Sequence, residues 1–426
     1  MEMPFRLFTI GDLHIKLSNS IETDLMTTGM KQKLLEGNYD FTIILGDILD
    51  RFESIHVKPL TRAVNTIEEI CKVSKHTFLL IGNHDRANNN VFLTDEHPFT
   101  GLRKWPNLTV VDTVIIKEIE SEDGDKAEFV FIPYVAPGRL REALHTVGLD
   151  YPDLKLTSDS KSEVEVETES IPKVEVKVES KSTPKVEVKV ESGYGYNEEG
   201  WARLQKMACV FAHQEFYGAK LGIKKSVEGD TWPLEAPLCI SGHIHDYAQL
   251  QPNIYYVGTP IQHGANDITK KTLSSFTLSF DEQKAIWLQE ETRHDLNVPK
   301  KIHVTLTVAE LLAFEVPTNA NFVRIDVEID PVEYKQLLKN KHIKELLKAK
   351  VQIKAINTRK YMTKDRVHVA NFKLSYAKRL EQNIKSEEKG VKDIYVELFG
   401  PLSKTPSPAK KKNVKPKKIR ICINED

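Results

Sequence analysis

Short apolar runs separated by polar, glycine-bearing loops dominate the first part of the chain. Phe5–Ile10, Phe41–Leu45, Phe78–Ile81, Leu108–Val111 and Phe129–Ile132 are rich in β-branched and aromatic residues and predict strands. Met30–Glu36 and Pro59–Val73 carry their apolar positions at helical spacing. Strand, loop and helix in repeated order predict an α/β domain. The same grammar resumes later. Glu198–Met207 reads as a helix, Val210–Ala212 and Leu238–Ile240 as buried strands, and Tyr255–Val257 and Leu273–Phe280 as further strands.

Between the two stretches the pattern changes. Pro172–Ser180 reads PKVEVKVES, Pro184–Ser192 repeats it, and Ser162–Ser170 is a variant, SEVEVETES. Alternating Val and charge allows a β-hairpin with one apolar face, but so few apolar residues cannot form a core, and a solvated, disordered insert is the expectation. The α/β domain is therefore expected in two parts, 1–152 and 198–295, around an insert at 153–197. Residues 300–400 form a smaller α+β unit by pattern: Phe322–Ile329 as a strand, Pro331–Lys350 as one helix with proline in its first turn, and Val351–Ile356 as a strand. A tail, 401–426, follows. Its stretch Ser403–Arg420 holds seven lysines, one arginine, three prolines and no acid, which suits either a DNA-phosphate contact or nuclear address, or a solubilising end.

Composition narrows the class only a little. The 426 residues carry a formal net charge of −1, so any affinity for nucleic acid must be local. Cys71, Cys209, Cys239 and Cys422 form no CxxC pair, which suggests a reducing compartment. The N-terminus lacks a secretory pattern, and no apolar run reaches the roughly 20 residues of a membrane helix. The expectation is an intracellular protein, cytoplasmic or nuclear, with no membrane partner.

The loops after the strands hold the chemistry. Gly11-Asp12-Leu13-His14, Gly46-Asp47-Ile48-Leu49-Asp50, Gly82-Asn83-His84-Asp85, the lone His213 and Gly242-His243-Ile244-His245 each follow an apolar run. In α/β sheets such strand ends converge on a crevice. Residues two apart on extended chain point the same way, so Asp-x-His and His-x-His can each offer two donors. A carboxylate can bridge two metals, and two metals about 3.5–4 Å apart supply both a nucleophile and charge neutralisation for phosphoester hydrolysis. Imidazole with carboxylate and amide oxygen suits manganese, iron or zinc better than calcium. Each motif alone is weak; five in order are hard to obtain by chance.

The ordered set resembles the calcineurin-like metallophosphoesterase superfamily over roughly residues 4–290. The resemblance implies a four-layer α/β/β/α sandwich, here with a smaller α+β C-terminal capping domain, and two divalent metal ions between the sheets. It implies that Asp12, His14, Asp47 and His245 hold one metal and that Asp47, Asn83, His213 and His243 hold the other, with Asp47 bridging. It also implies that His84 contacts phosphate and protonates the leaving oxygen, with Asp85 orienting it.

Among branches, the protein phosphatase motifs GDxHG, GDxVDRG and RGNHE match poorly; only Asp50-Arg51 agrees. The GDxH start, GNHD, GHxH and the later Gly258-Thr259-Pro260 turn are more similar to SbcCD-type nuclease subunits and their phage relatives. Asn88–His97 and Phe211–Phe216 resemble phosphoesterases of large DNA viruses, which suggests a viral origin. The expected function is a manganese-dependent, DNA-processing phosphodiesterase, a nuclease of DNA repair. A coiled-coil ATPase partner of the SbcC type is implied by resemblance alone. The alternatives are a phosphomonoesterase acting on phosphoprotein or small phosphoesters, and a binding module without chemistry. Asp50, His97 and His263 remain open between a supporting contact and an ordinary structural or surface role.

Overall fold

The computed structural model describes residues 4–51, 55–152, 196–222, 224–282, 284 and 286–356. In chain order the strands are β1 (Phe5–Ile10), β2 (Phe41–Ile44), β3 (Thr77–Leu80), β4 (Leu108–Val111), β5 (Ile115–Glu120), β6 (Lys126–Ile132), β7 (Cys209–Ala212), β8 (Lys220–Leu221), β9 (Lys224–Lys225), β10 (Cys239–Ser241), β11 (Ala248–Gln251), β12 (Ile254–Tyr256), β13 (Leu273–Asp281), β14 (Ile286–His294), β15 (Lys300–Leu306), β16 (Ala320–Glu328) and β17 (Gln352–Ile356). The α-helices are α1 (Ser20–Glu36), α2 (Val57–Cys71), α3 (Leu140–His145), α4 (Glu198–Leu204), α5 (Val308–Leu312), α6 (Pro331–Leu337) and α7 (Lys341–Lys348).

Two six-stranded sheets organise the chain up to His294. One runs β14-β13-β1-β2-β3-β4 and the other β11-β12-β10-β7-β6-β5. Their central strands are parallel: β1 to β2, β2 to β3 and β3 to β4 in the first, and β6 to β7, β7 to β10 and β10 to β12 in the second. Strands buried on both faces need apolar residues at every position, which is why these runs are continuous rather than alternating. In β1, Phe5 and Leu7 join the core between the sheets, while Phe8 and Ile10 join the core under α1 and α2. Across the second sheet, Phe129, Phe131 and Phe211 face inward, while Val130, Ile132 and Val210 pack with Leu140, Leu144 and Leu204 of α3 and α4. The result is the four-layer α/β/β/α sandwich. Its centre is aromatic: Phe131 stacks on Phe78 at 4.0 Å between centroids and on Phe211 at 5.1 Å, and such pairs add about 0.5–1.5 kcal/mol each beyond burial.

Several elements differ from the sequence reading. α1 begins ten residues before Met30 because its buried face is Thr23, Met26, Met30 and Leu34, and a threonine in that row masks the apolar period. β5, β11 and β14 are edge or near-edge strands with polar outer faces, which lack the apolar runs used to find strands. Pro331–Lys350 is two helices rather than one. The break falls at Asn340, whose side chain accepts from the His342 amide at 2.9 Å and starts α7 as a cap. Strands β15, β16 and β17 form a separate three-stranded sheet in that order, with Val323, Ile325 and Val327 buried at alternate positions of β16.

The repeat and the basic tail lie outside the described residues. The points where the chain leaves and re-enters around the repeat are nevertheless joined. Asp150, fully buried, accepts from the Asn197 amide at 2.7 Å and from Arg141 Nε at 2.6 Å. Among the described residues, no helix is long and apolar enough to cross a membrane.

Candidate metal centre

Five parallel strands, β1, β2 and β3 from one sheet and β7 and β10 from the other, run into the five motif loops, so the loops meet at one rim of the sandwich. The backbone there is tightly specified. His14 N donates to Asp47 O at 2.9 Å, and Ile15 bridges Leu49, which locks the first loop to the second. His14, Asp47 and His243 have positive φ of 42°, 47° and 79°. Such conformations cost non-glycine residues about 1–3 kcal/mol each and persist where surrounding structure enforces them. Two glycines make room. A Cβ on Gly46, itself at φ +104°, would come within 2.6 Å of His213 Nδ1, and one on Gly242 within 2.6 Å of Asp12 Oδ1.

The expected ligands are brought together. Three groups each place one donor atom per residue within 4.8 Å of the others: Asp12, His14 and His245; His14, Asp47 and His84; and Asp47, His213 and His243. Asn83 Oδ1 lies 3.0 Å from both His213 Nε2 and His243 Nδ1. His14 Nε2 lies 3.0 Å from His245 Nε2 and 3.7 Å from Asp47 Oδ2. His213 Nε2 is 3.4 Å from Asp47 Oδ2, while its Nδ1 donates to Leu45 O at 2.7 Å. Despite its burial, Asp47 and Asp12 raise the His213 imidazole to about 9; with Nδ1 committed to Leu45 O, Nε2 is the atom that would turn to a bound cation.

The electrostatics fit cation binding. Burial pushes the Asp12 carboxyl up to about 7, and its Oδ2 has no hydrogen-bond partner. Asp47 is equally buried, yet the charge and hydrogen bond of His213 hold it well below the usual carboxylate range. Burial holds His14 and His245 below the ordinary imidazole value, so both offer lone pairs. A buried, orphaned carboxylate oxygen, a clustered pair of acids and neutral imidazoles are a donor set for divalent cations.

His84 and Asp85 occupy different positions in this frame. His84 Nδ1 donates to Asp50 O at 2.8 Å, and its amide donates to Asp47 Oδ1 at 2.8 Å. The Asp85 carboxylate accepts from the amides of Ile48, Leu49 and Gly82 at 3.2, 3.0 and 3.1 Å. Asp85 thus clamps the second and third loops, while the His84 ring meets the Asp50 carbonyl and packs edge-on to the His14 ring. The Asp50 carboxylate pairs with Lys16 at 2.9 Å and stands 3.8 Å from His14 Nδ1. The His97 side chain is buried and bonded to Asp112 at 3.1 Å. The His263 ring lies edge-on to those of His14 and His245, with centroids 4.9 and 5.6 Å away.

The motifs did not reveal some neighbours. Glu215 Oε2 is 3.7 Å from His243 Nε2, on the side away from Asn83, where a carboxylate can fix the tautomer of a liganding imidazole. Tyr134 packs its ring 5.8 Å from His243 and carries Arg86 over its face. Lys271 Nζ donates to His245 O at 2.8 Å. Glu215 sits two residues past His213 and was findable; Tyr134 and Lys271 belong to no pattern.

Comparison with known proteins agrees with this geometry. Residues 5–165 match the family model for the calcineurin-like phosphoesterase domain. "Putative phosphoesterase 078R" of Invertebrate iridescent virus 3 is 33% identical over 265 residues, 62% of this chain and 60% of that protein. The chain therefore spans less than two thirds of that relative. "Putative phosphoesterase 244L" of Invertebrate iridescent virus 6 is 28% identical over 338 residues, 79% of this chain and 98% of that protein. Over residues 5–165 the chain is thus similar to calcineurin-like phosphoesterase domains.

Proposed function

We propose that the chain is a phosphodiesterase that uses two divalent cations, manganese foremost, and that its substrate is DNA. The observation that carries the reading is the arrangement around Asp47. Asp47 Oδ2 lies 3.7 Å from His14 Nε2, which groups with Asp12 and His245, and 3.4 Å from His213 Nε2, which groups with His243 and Asn83, so this carboxylate meets both donor sets. When bound, the two cations supply an activated water and neutralise charge on the phosphoryl oxygens. The chain's own groups do the rest. His84, fixed through Nδ1 by the Asp50 carbonyl, presents Nε2 to hold the proton that the leaving oxygen needs. Asp85 holds the two loops that position Asp47 and His84, and Glu215 orients His243. The departures from the protein phosphatase motifs favour a phosphodiester over a phosphoprotein.

The test is a manganese-dependent screen of the full-length protein on linear DNA, a small aryl phosphodiester and a phosphopeptide. Cleavage of the first two with little action on the third is the expected result. Rapid phosphopeptide hydrolysis without DNA cleavage would replace this reading with a phosphomonoesterase. Bound metal without any turnover would leave a binding module.

A further inference from the structure

A second cluster of charge follows His213 in the chain. After Glu215 the chain turns through Gly218, at φ +86°, and enters the β8–β9 ribbon. Gly218 N donates to Ser226 O at 2.9 Å and Ser226 N to Ala219 O at 2.7 Å, which fixes the ribbon's base. The segment 217–229 holds Lys220, Lys224 and Lys225 against a single acid, Glu228. All three lysines are exposed. Lys220 stands directly opposite Lys225 across the strand pair, and Leu221 opposite Lys224. Like charges placed opposite each other weaken a strand pair, and a two-stranded ribbon has little stability to spare. Among the described residues, none of the three lysines has an ion-pair partner. A ribbon kept in this form presents an array of positive charge to something outside the fold.

We propose that the β8–β9 ribbon is a docking surface for the DNA backbone that binds phosphates other than the one being cut. This rests on the DNA reading above. Glu215 is 3.7 Å from His243 Nε2, and Lys220 is five residues further on. At no more than about 3.3–3.6 Å per residue, Lys220 lies within roughly 18 Å of Glu215. Duplex DNA advances about 3.4 Å per base pair on each strand, so that reach covers at most about five phosphates. A small phosphoester brings one phosphoryl group, which the metal centre already serves; an array of three cations matches a repeating anion. Lysine is a point charge on a flexible stem, without the planar fork that reads a base edge. The ribbon therefore positions DNA without regard to sequence.

The experiment replaces all three lysines with glutamine, Lys220→Gln, Lys224→Gln and Lys225→Gln, in the full-length chain. Binding of a duplex of about 30 base pairs is followed by fluorescence anisotropy in EDTA across a salt series. The slope of log affinity against log salt should shrink by about 0.9 for each lysine that sits on a phosphate, at most about 2.7 in all. Hydrolysis of a small aryl phosphodiester by the manganese-loaded variant should be unchanged, which also verifies its fold. A triple Lys→Arg variant should keep the wild-type slope. DNA binding with an unaltered slope would overturn the ribbon's role while leaving the DNA reading in place. Failure of the wild-type protein to bind or cut DNA, with the aryl substrate still hydrolysed, would overturn both.

Discussion

Strands β1, β2, β3, β7 and β10 each serve two regions with opposite demands. Along their length they build the aromatic core between the sheets, where Phe5, Phe41, Phe78 and Phe211 are almost fully buried. One step past their ends they build the metal centre, where Asp12, Asp47 and His213 are just as buried. The core gains from burial, since a large apolar side chain contributes about 1.5–3 kcal/mol when removed from water. The rim loses from it, because charged groups there resist dehydration and three backbones sit at positive φ. The apolar half thus supports a polar half that would not fold alone. Substitutions in the two regions should separate cleanly into loss of function and loss of stability.

The largest effect is expected at Asp47. Asp47→Ala removes the carboxylate whose Oδ2 meets both His14 and His213, so both metals should be lost and manganese-dependent hydrolysis should fall to background. The variant should still fold, at reduced stability, because His213 loses a buried carboxylate partner while the apolar core is untouched. Elemental analysis finding near-normal metal content would remove Asp47 from the bridging position. His84→Ala comes next. It should keep metal and fold and slow turnover by about 10²–10⁴-fold, the usual worth of general acid help. A collapse of metal occupancy in this variant would make His84 a ligand, as its grouping with His14 and Asp47 permits.

Phe131→Ala sharpens the contrast from the other side. Phe131 is fully buried and stacks on Phe78 and Phe211. Its truncation should cost about 3–5 kcal/mol of stability, read by denaturant unfolding, while turnover per folded molecule stays near wild type. A large drop in turnover at unchanged stability would show that the core and the rim are not separable in this way.

The two regions were also unequally legible in the sequence. The core strands announce themselves because double burial demands unbroken apolar runs; β1 and β4 begin and end where the pattern says. The donor residues are legible because few chemistries use Asp-x-His, Gly-Asn-His-Asp and His-x-His in order. What connects them is not written locally. The pairing of the Asp85 carboxylate with three amides depends on how two loops cross, and the approach of Tyr134 to His243 depends on sheet packing. Polar edge strands such as β14, IWLQEETRH, are held by the ladder to β13 rather than by an apolar run. Asn340 divides a stretch whose residues otherwise favour one helix, because a cap's preference acts on a single position.

The smallest effect is expected where the chain belongs to neither region. Asp150 and Asn197 flank the Val/Glu/Lys repeat and are bonded to each other, with Arg141 on the same carboxylate. Asn197 also caps α4 through Gly200 N at 3.0 Å. The chain therefore leaves and returns at one anchored point. Deleting 155–191 and joining the ends with a short Gly/Ser link should leave metal content and hydrolysis unchanged. Closing a shorter loop costs less entropy, so the variant should gain roughly 1 kcal/mol, visible as a small rise in the unfolding midpoint. Asp150→Ala in the same background should undo that gain, because it removes the buried carboxylate that joins Arg141, His145 and the Asn197 amide. If the deletion itself unfolds the protein, the repeat contributes to the sandwich and the anchor at Asp150 is not sufficient to close it.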